Sequence, residues 1–166
     1  DFGNKVALIT GGSRGLGLIL AKQLAEEGAK VVICARDEAE LREAASEISP
    51  ITRNYHTITC DITDKGSIKD MIREIEEVFG PVDILINNAS IMTVGPVETM
   101  TEEDYETAMN VHFWGPYHVI NEVIPSMTER KEGRIVNIVS IGGKVSFPHL
   151  LPYNVSKYAL SGLSEG

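Results

Sequence analysis

Cysteine is scarce in this 166-residue chain, which contains only Cys34 and Cys60. Two cysteines cannot form a disulfide framework or a four-cysteine zinc site, so a hydrophobic core must stabilise the fold. Basic residues are also few, because 15 Lys and Arg stand against 24 Asp and Glu and leave a net charge of −9. This acidic balance argues against non-specific binding to nucleic acid or to an anionic membrane surface.

Long apolar runs are missing as well. No run approaches the roughly 20 residues of a membrane-spanning helix, and we therefore expect no membrane span. The first five residues, DFGNK, lack the apolar stretch of a signal peptide, which predicts a cytoplasmic protein. The hydrophobic share of 43% is enough to bury one core. The length predicts a single domain over residues 1–166.

Short apolar runs alternate with longer amphipathic stretches along the chain. The predicted strands are residues 5–10, 31–35, 57–60, 83–87 and 134–139. The predicted helices are residues 15–27, 37–48, 67–79, 104–129 with a break or kink at Gly115-Pro116, and 152 to the end. Strands that alternate with helices in this way predict an α/β fold with a doubly wound, Rossmann-like parallel sheet.

A glycine-rich turn, TGGSRGLG, joins the first predicted strand to the first predicted helix. Glycines allow a pyrophosphate to approach the backbone, and the amides at the start of the helix then face the anion. The predicted cofactor contacts in this turn are Thr10, Gly11, Ser13, Arg14, Gly15, Leu16 and Gly17. The alternative is a turn that is merely tight.

Tyr153 and Lys157 are four residues apart in the last predicted helix and so share one helix face. A phenol is a poor acid or base at neutral pH, and a neighbouring cation favours its charged form. Ser140 follows the fifth predicted strand, and Asn88, Ala89 and Ser90 follow the fourth.

Together, the TGxxxGxG turn, the NNA segment and the Ser140…YxxxK pattern resemble the short-chain dehydrogenase/reductase family. The resemblance implies a hydride-transferring oxidoreductase that acts on an alcohol or carbonyl substrate. It implies that Tyr153 is the general acid or base, that Lys157 tunes Tyr153 and binds the nicotinamide ribose, and that Ser140 orients the carbonyl. Asn110 would hold a water that links Lys157 to solvent.

The resemblance also assigns the adenosine end of a nicotinamide cofactor. Asp61 would bond the adenine amino group with help from the amide of Ile62, although Asp61 could instead cap the following turn. Asn88, Ala89 and Ser90 would line the cofactor, as would Tyr153 and Lys157. Ser90 departs from the family's NNAG, in which a glycine gives the loop its freedom.

Two arginines favour NADP(H) over NAD(H). Arg36 follows the second predicted strand, where an NAD-binding protein would place an acid near Ala35, and Arg14 lies in the glycine-rich turn. Two guanidinium groups can pair with a 2′-phosphate. The alternative is that both are solvated, with Asp37 neutralising Arg36.

Family members have seven strands, and five are predicted here, so we expect a chain that lacks the last strands and the substrate lid. Such a chain could be inactive, and a catalytically inactive dinucleotide-binding module or fragment is the alternative function. The resemblance implies a homo-oligomer for the full-length parent. The four histidines share no metal-ligand spacing, and we predict no metal site and assign no role to His56, His112, His118 and His149.

Overall fold

A five-stranded parallel sheet runs through the centre of the computed structural model, which describes residues 2–166. The strands are β1 (Val6–Thr10), β2 (Lys30–Ala35), β3 (Tyr55–Thr59), β4 (Ile84–Asn87) and β5 (Arg134–Asn137). Their order across the sheet is β3-β2-β1-β4-β5, and every neighbouring pair is parallel. The predicted doubly wound α/β fold is therefore confirmed.

Helices connect the strands and cover the sheet. They are α1 (Gly15–Glu26), α2 (Glu38–Ile48), α3 (Lys65–Phe79), α4 (Glu102–Met109), α5 (Gly115–Arg130) and α6 (Leu151–Glu165). A π-helical segment, Asn110–Trp114, joins α4 to α5. Within residues 2–166, none of the helices combines the length and the apolar character that a membrane crossing requires.

The central strands carry apolar side chains on both faces because helices pack on both sides of the sheet. Leu8, Val32 and Leu85 belong to one buried cluster, which contains residues of α3 and α5. Ala7 and Ile9 alternate with Leu8 and join a second cluster with residues of α1 and α2. Strands buried on both faces read as continuous apolar runs, which is why β1, β2 and β4 were predictable.

Some predicted boundaries were wrong. The third strand is 55–59 rather than 57–60, so Cys60 lies just beyond β3, and the fifth ends at residue 137 rather than 139. The third helix begins at Lys65 rather than Ser67, because the Asp64 carboxylate accepts the backbone N–H of Ser67 and caps the first turn.

A break or kink was predicted at Gly115-Pro116, and the structure shows no break there. The π-helical segment before it keeps the chain helical through to α5. Pro116 lies in the first turn of α5, where a missing N–H is tolerated. A π segment inserts an extra residue into a helix and often occurs at functional sites. Here it contains Asn110 and His112.

The order of the strands creates a crevice between β1 and β4, because the chain proceeds outward from β1 in both directions. In open α/β sheets, ligands bind at such a switch point, beyond the carboxyl ends of the strands. Thr10 closes this end of β1. Its buried Oγ1 accepts the backbone N–H groups of Asn88 at 3.0 Å and Ala89 at 3.1 Å.

Replacing Thr10 with Val keeps the shape of the side chain but removes this acceptor. The two N–H groups then lose a partner in a buried position, and we expect the free energy of unfolding to fall by about 1–3 kcal/mol. Urea denaturation followed by circular dichroism measures the change. The control is Thr59→Val at an exposed strand position. Equal effects from both variants would contradict the role of Thr10.

Candidate active site

A cavity of about 550 Å³ lies at the carboxyl ends of β1, β2, β3 and β4. Many of the residues predicted to bind a cofactor line it: Gly11, Ser13, Arg14, Arg36, Asp61, Ile62, Asn88, Ala89 and Ser90. The other predicted cofactor contacts are not among its lining residues: Thr10, Gly15, Leu16, Gly17, Tyr153 and Lys157. The structure thus brings the glycine-rich turn, the end of β2, the segment after β3 and the loop after β4 around one space.

Two glycines of the glycine-rich turn lie against neighbouring backbone, where a side chain would not fit. Gly11 has a φ of +64°, and a Cβ there would lie 2.7 Å from the Cα of Ala89. A Cβ at Gly17 would lie 2.4 Å from the carbonyl oxygen of Gly11. Gly11 therefore brings the turn against the loop after β4, and Gly17 packs α1 against the turn.

The first turn of α1 lacks a side-chain cap and acidic residues. This differs from α2, α3 and α4, whose first turns are capped by Asp37, Asp64 and Thr101. A Cβ at Gly15 would have no atom within 4 Å. The first N–H groups of α1 are thus free of a side-chain acceptor, as an anion-binding helix terminus requires.

One of the two predicted arginines, Arg14, contacts a carboxylate that was not predicted from the sequence. Glu40, from the first turn of α2, accepts hydrogen bonds from Ser13 Oγ at 2.8 Å and Arg14 Nη1 at 3.0 Å. Arg36 is exposed and has no ion-pair partner among residues 2–166. Asp37 does not neutralise Arg36 through an ion pair, because its carboxylate accepts the N–H groups of Ala39 and Glu40.

Asp61 caps the turn that follows it, which was the alternative to adenine binding, and it also lines the cavity. One carboxylate oxygen accepts both the backbone N–H of Thr63 at 2.9 Å and its hydroxyl at 2.8 Å. The other oxygen makes no hydrogen bond within the described chain.

Ser140 and Tyr153 flank one glycine. A Cβ at Gly142 would lie 3.2 Å from Tyr153 Cε1 and 3.4 Å from Ser140 Oγ. Ser140 begins the short 3₁₀ segment Ile141–Gly143, and its hydroxyl accepts the backbone N–H of Gly142 at 3.1 Å. Both side chains are half-buried. The structure therefore assembles the predicted serine–tyrosine pair from residues thirteen apart in sequence.

Lys157 is a buried cation beside this pair, with 2% of its surface exposed. Its Nζ donates to the carbonyl oxygen of Ile138 at 2.8 Å and lies 5.7 Å from the centroid of the Tyr153 ring. Burial lowers the pKa of Lys157 from 10.5 to about 8, because the charged form loses its hydration. The ammonium is thus still protonated at neutral pH but is easily discharged above it.

Asn110 opens the π-helical segment and is exposed. Its backbone carbonyl accepts the N–H of Gly115, and its side chain makes no hydrogen bond within residues 2–166. An exposed amide is ordinary for an asparagine in a helix, and the water-holding role of Asn110 stays a prediction.

The structure adds a residue that sequence analysis passed over. His112 is 1% exposed, and its ring lies between the loop after β4 and α6. Nε2 accepts the N–H of Ile91 at 3.1 Å, Nδ1 lies 2.7 Å from Ser156 Oγ, and the ring meets Tyr153 edge-on with centroids 5.4 Å apart. No local sequence pattern indicates this role, because Ile91 and Ser156 are 21 and 44 residues away from His112 in the chain.

Burial lowers the pKa of His112 to about 3, with a further contribution from the charge of Lys157. No three His, Cys, Asp or Glu side chains in the described part of the chain come together as a candidate metal site. Cys34 and Cys60 are free, buried thiols at the wall of the cavity.

A model of the short chain dehydrogenase family matches residues 5–166. The chain belongs to this family. It is 35% identical over 164 residues to a putative ketoacyl reductase of Streptomyces coelicolor and 38% identical over 160 residues to a gluconate 5-dehydrogenase of Gluconobacter oxydans. These alignments cover 98% and 96% of the chain but only 63% and 62% of the two relatives.

Solved structures of the family have the same fold. A variant of the actinorhodin polyketide ketoreductase with NADPH gives a TM-score of 0.94 at 35% identity, covering 97% of the chain and 62% of that protein. A xylitol dehydrogenase bound to NAD⁺ gives 0.95 at 29% identity, covering 99% of the chain and 64% of that protein. A nicotinamide dinucleotide is the cofactor type of the family, and both forms occur among these neighbours.

The low pKa of His112 makes the stability of the fold depend on pH. The unfolded chain binds a proton below about 6.5, whereas the folded chain does so only near 3, so stability is lost as the pH falls through this window. We expect the loss between pH 7 and pH 5 to be about 2 kcal/mol greater in the wild type than in His112→Asn. Urea denaturation at both pH values measures this difference.

His149→Asn is the matched control, since His149 is exposed and its φ of +63° suits asparagine. This variant should keep the wild-type dependence on pH. The same dependence in His112→Asn as in the wild type would show that His112 is not the buried neutral group.

Proposed function

We propose that the protein is an NADP(H)-dependent oxidoreductase that interconverts an alcohol and a carbonyl compound. The observation that carries the proposal is the meeting of Ser140 and Tyr153 at Gly142, with the Lys157 ammonium 5.7 Å from the centroid of the Tyr153 ring. The same chain has a cavity at the switch point of the sheet. A protein that only bound a dinucleotide would need the cavity but not this trio.

The residues at the cavity fit a nicotinamide dinucleotide. At Gly15 no atom lies within 4 Å of the position of a Cβ, so a pyrophosphate could approach the backbone there, and the uncapped start of α1 offers N–H donors. Asp61 and the amide of Ile62 would bind the adenine, and Asn88, Ala89 and Ser90 would line the cofactor on the other side. The cofactor, when bound, supplies or accepts the hydride at its nicotinamide ring.

Proton transfer would then fall to Tyr153. Its hydroxyl would donate a proton to the carbonyl oxygen in reduction, and its deprotonated form, the phenolate, would take the proton of the alcohol in oxidation. Ser140 donates a hydrogen bond to the same oxygen and so orients the substrate. The Lys157 ammonium favours the phenolate and would also bind the nicotinamide ribose, and Asn110 would hold the water that connects Lys157 to solvent.

Preference for NADP(H) rests on Arg36 and Arg14. Of these two arginines, Arg36 has no ion-pair partner in the described part of the chain, and it stands at the end of β2, where a 2′-phosphate would lie. Arg14 reaches the same end of the cavity but shares its charge with Glu40. We therefore assign Arg36 the larger share of phosphate recognition.

The alternative function is a dinucleotide-binding module without turnover. What supports it is that the residues proposed to bind the adenosine end, Arg36, Asp61 and Ile62, line the cavity, whereas Ser140, Tyr153 and Lys157 do not. The oxidoreductase proposal includes a small alcohol or carbonyl substrate, homo-oligomers of the full-length protein and a cytoplasmic location. The free thiols of Cys34 and Cys60 fit a reducing compartment.

Titration with NADPH and NADH, followed by nicotinamide fluorescence, tests the cofactor preference. We expect Arg36→Ala to weaken NADPH binding about tenfold and to leave NADH binding nearly unchanged, because one charge-assisted contact is lost. The control is Arg42→Ala, which removes an arginine paired with Glu38 away from the cavity. Tighter binding of NADH than of NADPH by the wild type would contradict the preference.

Turnover tests the catalytic assignment. With a panel of ketones and NADPH, we expect Tyr153→Phe to lower the rate by at least about 100-fold, because the proton donor is gone while the packing of the ring is kept. Tyr158→Phe, at an exposed position of the same helix, is the control. Cofactor binding by the wild type with no turnover of any ketone would favour the binding module.

A further inference from the structure

His112 occupies a position that the proposed mechanism does not use. Its imidazole is fully buried, and its two nitrogens face two different parts of the site. Nε2 faces Ile91 N–H at 3.1 Å and Ser90 Oγ at 2.9 Å, in the loop that lines the cavity. Nδ1 faces Ser156 Oγ at 2.7 Å, on the helix that carries Tyr153 and Lys157.

These contacts determine the tautomer. A backbone N–H can only donate, so Nε2 must be the acceptor for Ile91 and cannot carry a proton. The proton is therefore on Nδ1, which donates to Ser156 Oγ. The Ser156 hydroxyl can in turn donate to the carbonyl oxygen of Pro152 or Tyr153, each at 2.9 Å. A protonated ring would place an N–H against the N–H of Ile91.

We call the contacts of Nε2 with Ser90 and Ile91 the loop arm and the contact of Nδ1 with Ser156 the helix arm. The loop arm holds Ser90 and Ile91, which border the cavity just after Asn88 and Ala89. It is present where the chain has Ser90 in place of the glycine of NNAG. The helix arm holds Ser156, which lies directly before Lys157, and the edge-on contact supports the ring of Tyr153.

We propose that neutral His112 is a positioning residue that couples the cofactor-lining loop after β4 to the catalytic helix α6. It touches neither the reacting atoms nor the cofactor and acts through Ile91, Ser90 and Ser156. The inference rests on the proposed function, because that function gives the loop a cofactor to hold and the helix a catalytic pair to align.

Two substitutions separate the arms. The amide of glutamine reaches the position of the ring Nε2, so His112→Gln keeps an acceptor for Ile91 and loses the donor to Ser156. The shorter asparagine places its amide near the ring Nδ1, so His112→Asn keeps the helix arm and loses the loop arm. Ser156→Ala removes the helix arm from its other end and should behave like His112→Gln.

The loop arm is measured by the affinity for ADP, which carries no nicotinamide ribose and so does not depend on Lys157. The helix arm is measured by titration of the ¹³C-labelled Lys157 side chain in NMR spectra. We expect His112→Asn to weaken ADP binding about fivefold to tenfold and to leave the Lys157 pKa near 8. His112→Gln should change ADP binding by less than about twofold and raise that pKa toward 10.5, because a loosened helix admits water.

A residue that merely fills the core would move both measurements together in both variants, and that result would overturn the proposal. An Nε2–H tautomer in the ¹⁵N spectrum of the wild type would also overturn it. If the wild type binds neither ADP nor NADPH, the proposed function fails. The tautomer and the Lys157 titration still decide whether the helix arm exists.

Discussion

The close approach between the end of β1 and the loop after β4 is the constraint on which the site depends. Gly11 lies so near Ala89 that a Cβ would come within 2.7 Å of its Cα. Thr10 Oγ1 accepts two backbone N–H groups of that loop, and the Asn88 amide donates to the carbonyl oxygens of Thr10 and Gly11 at 3.0 Å each. These contacts keep the two strand ends parallel and leave the cavity beyond them open.

Burial of Lys157 is the second constraint, and it acts on the catalytic end. Removing an ammonium from water is unfavourable, so the side chain needs a defined acceptor. The carbonyl oxygen of Ile138 provides it and ties α6 to the segment that leads from β5 to Ser140. Gly143 permits this approach, because a Cβ there would lie 2.7 Å from the Lys157 carbonyl oxygen. The same packing that lowers the pKa of Lys157 therefore brings Tyr153 toward Ser140.

Local patterns predicted those parts of the molecule that depend on neighbours in sequence. The apolar runs of β1 and β2, the glycine-rich turn and the shared face of Tyr153 and Lys157 are of this kind. The end of β3 was misplaced because Cys60 continues the apolar pattern although strand pairing has stopped.

Contacts between distant segments could not be predicted in this way. Glu40 meets Arg14 from another helix, and His112 meets Ile91 and Ser156, which are 21 and 44 residues away. An acidic residue at the start of a helix and a lone histidine within one are each ordinary in a sequence. Their roles depend on the fold that brings these segments together.

A crystal structure of the chain with NADP⁺ tests the central claim most directly. We expect the pyrophosphate to lie at the N–H groups of the glycine-rich turn and the 2′-phosphate to lie beside Arg36. The nicotinamide ribose should lie within hydrogen-bonding distance of Lys157. A dinucleotide bound away from the carboxyl ends of β1 and β4, or with its nicotinamide remote from Tyr153, would contradict it.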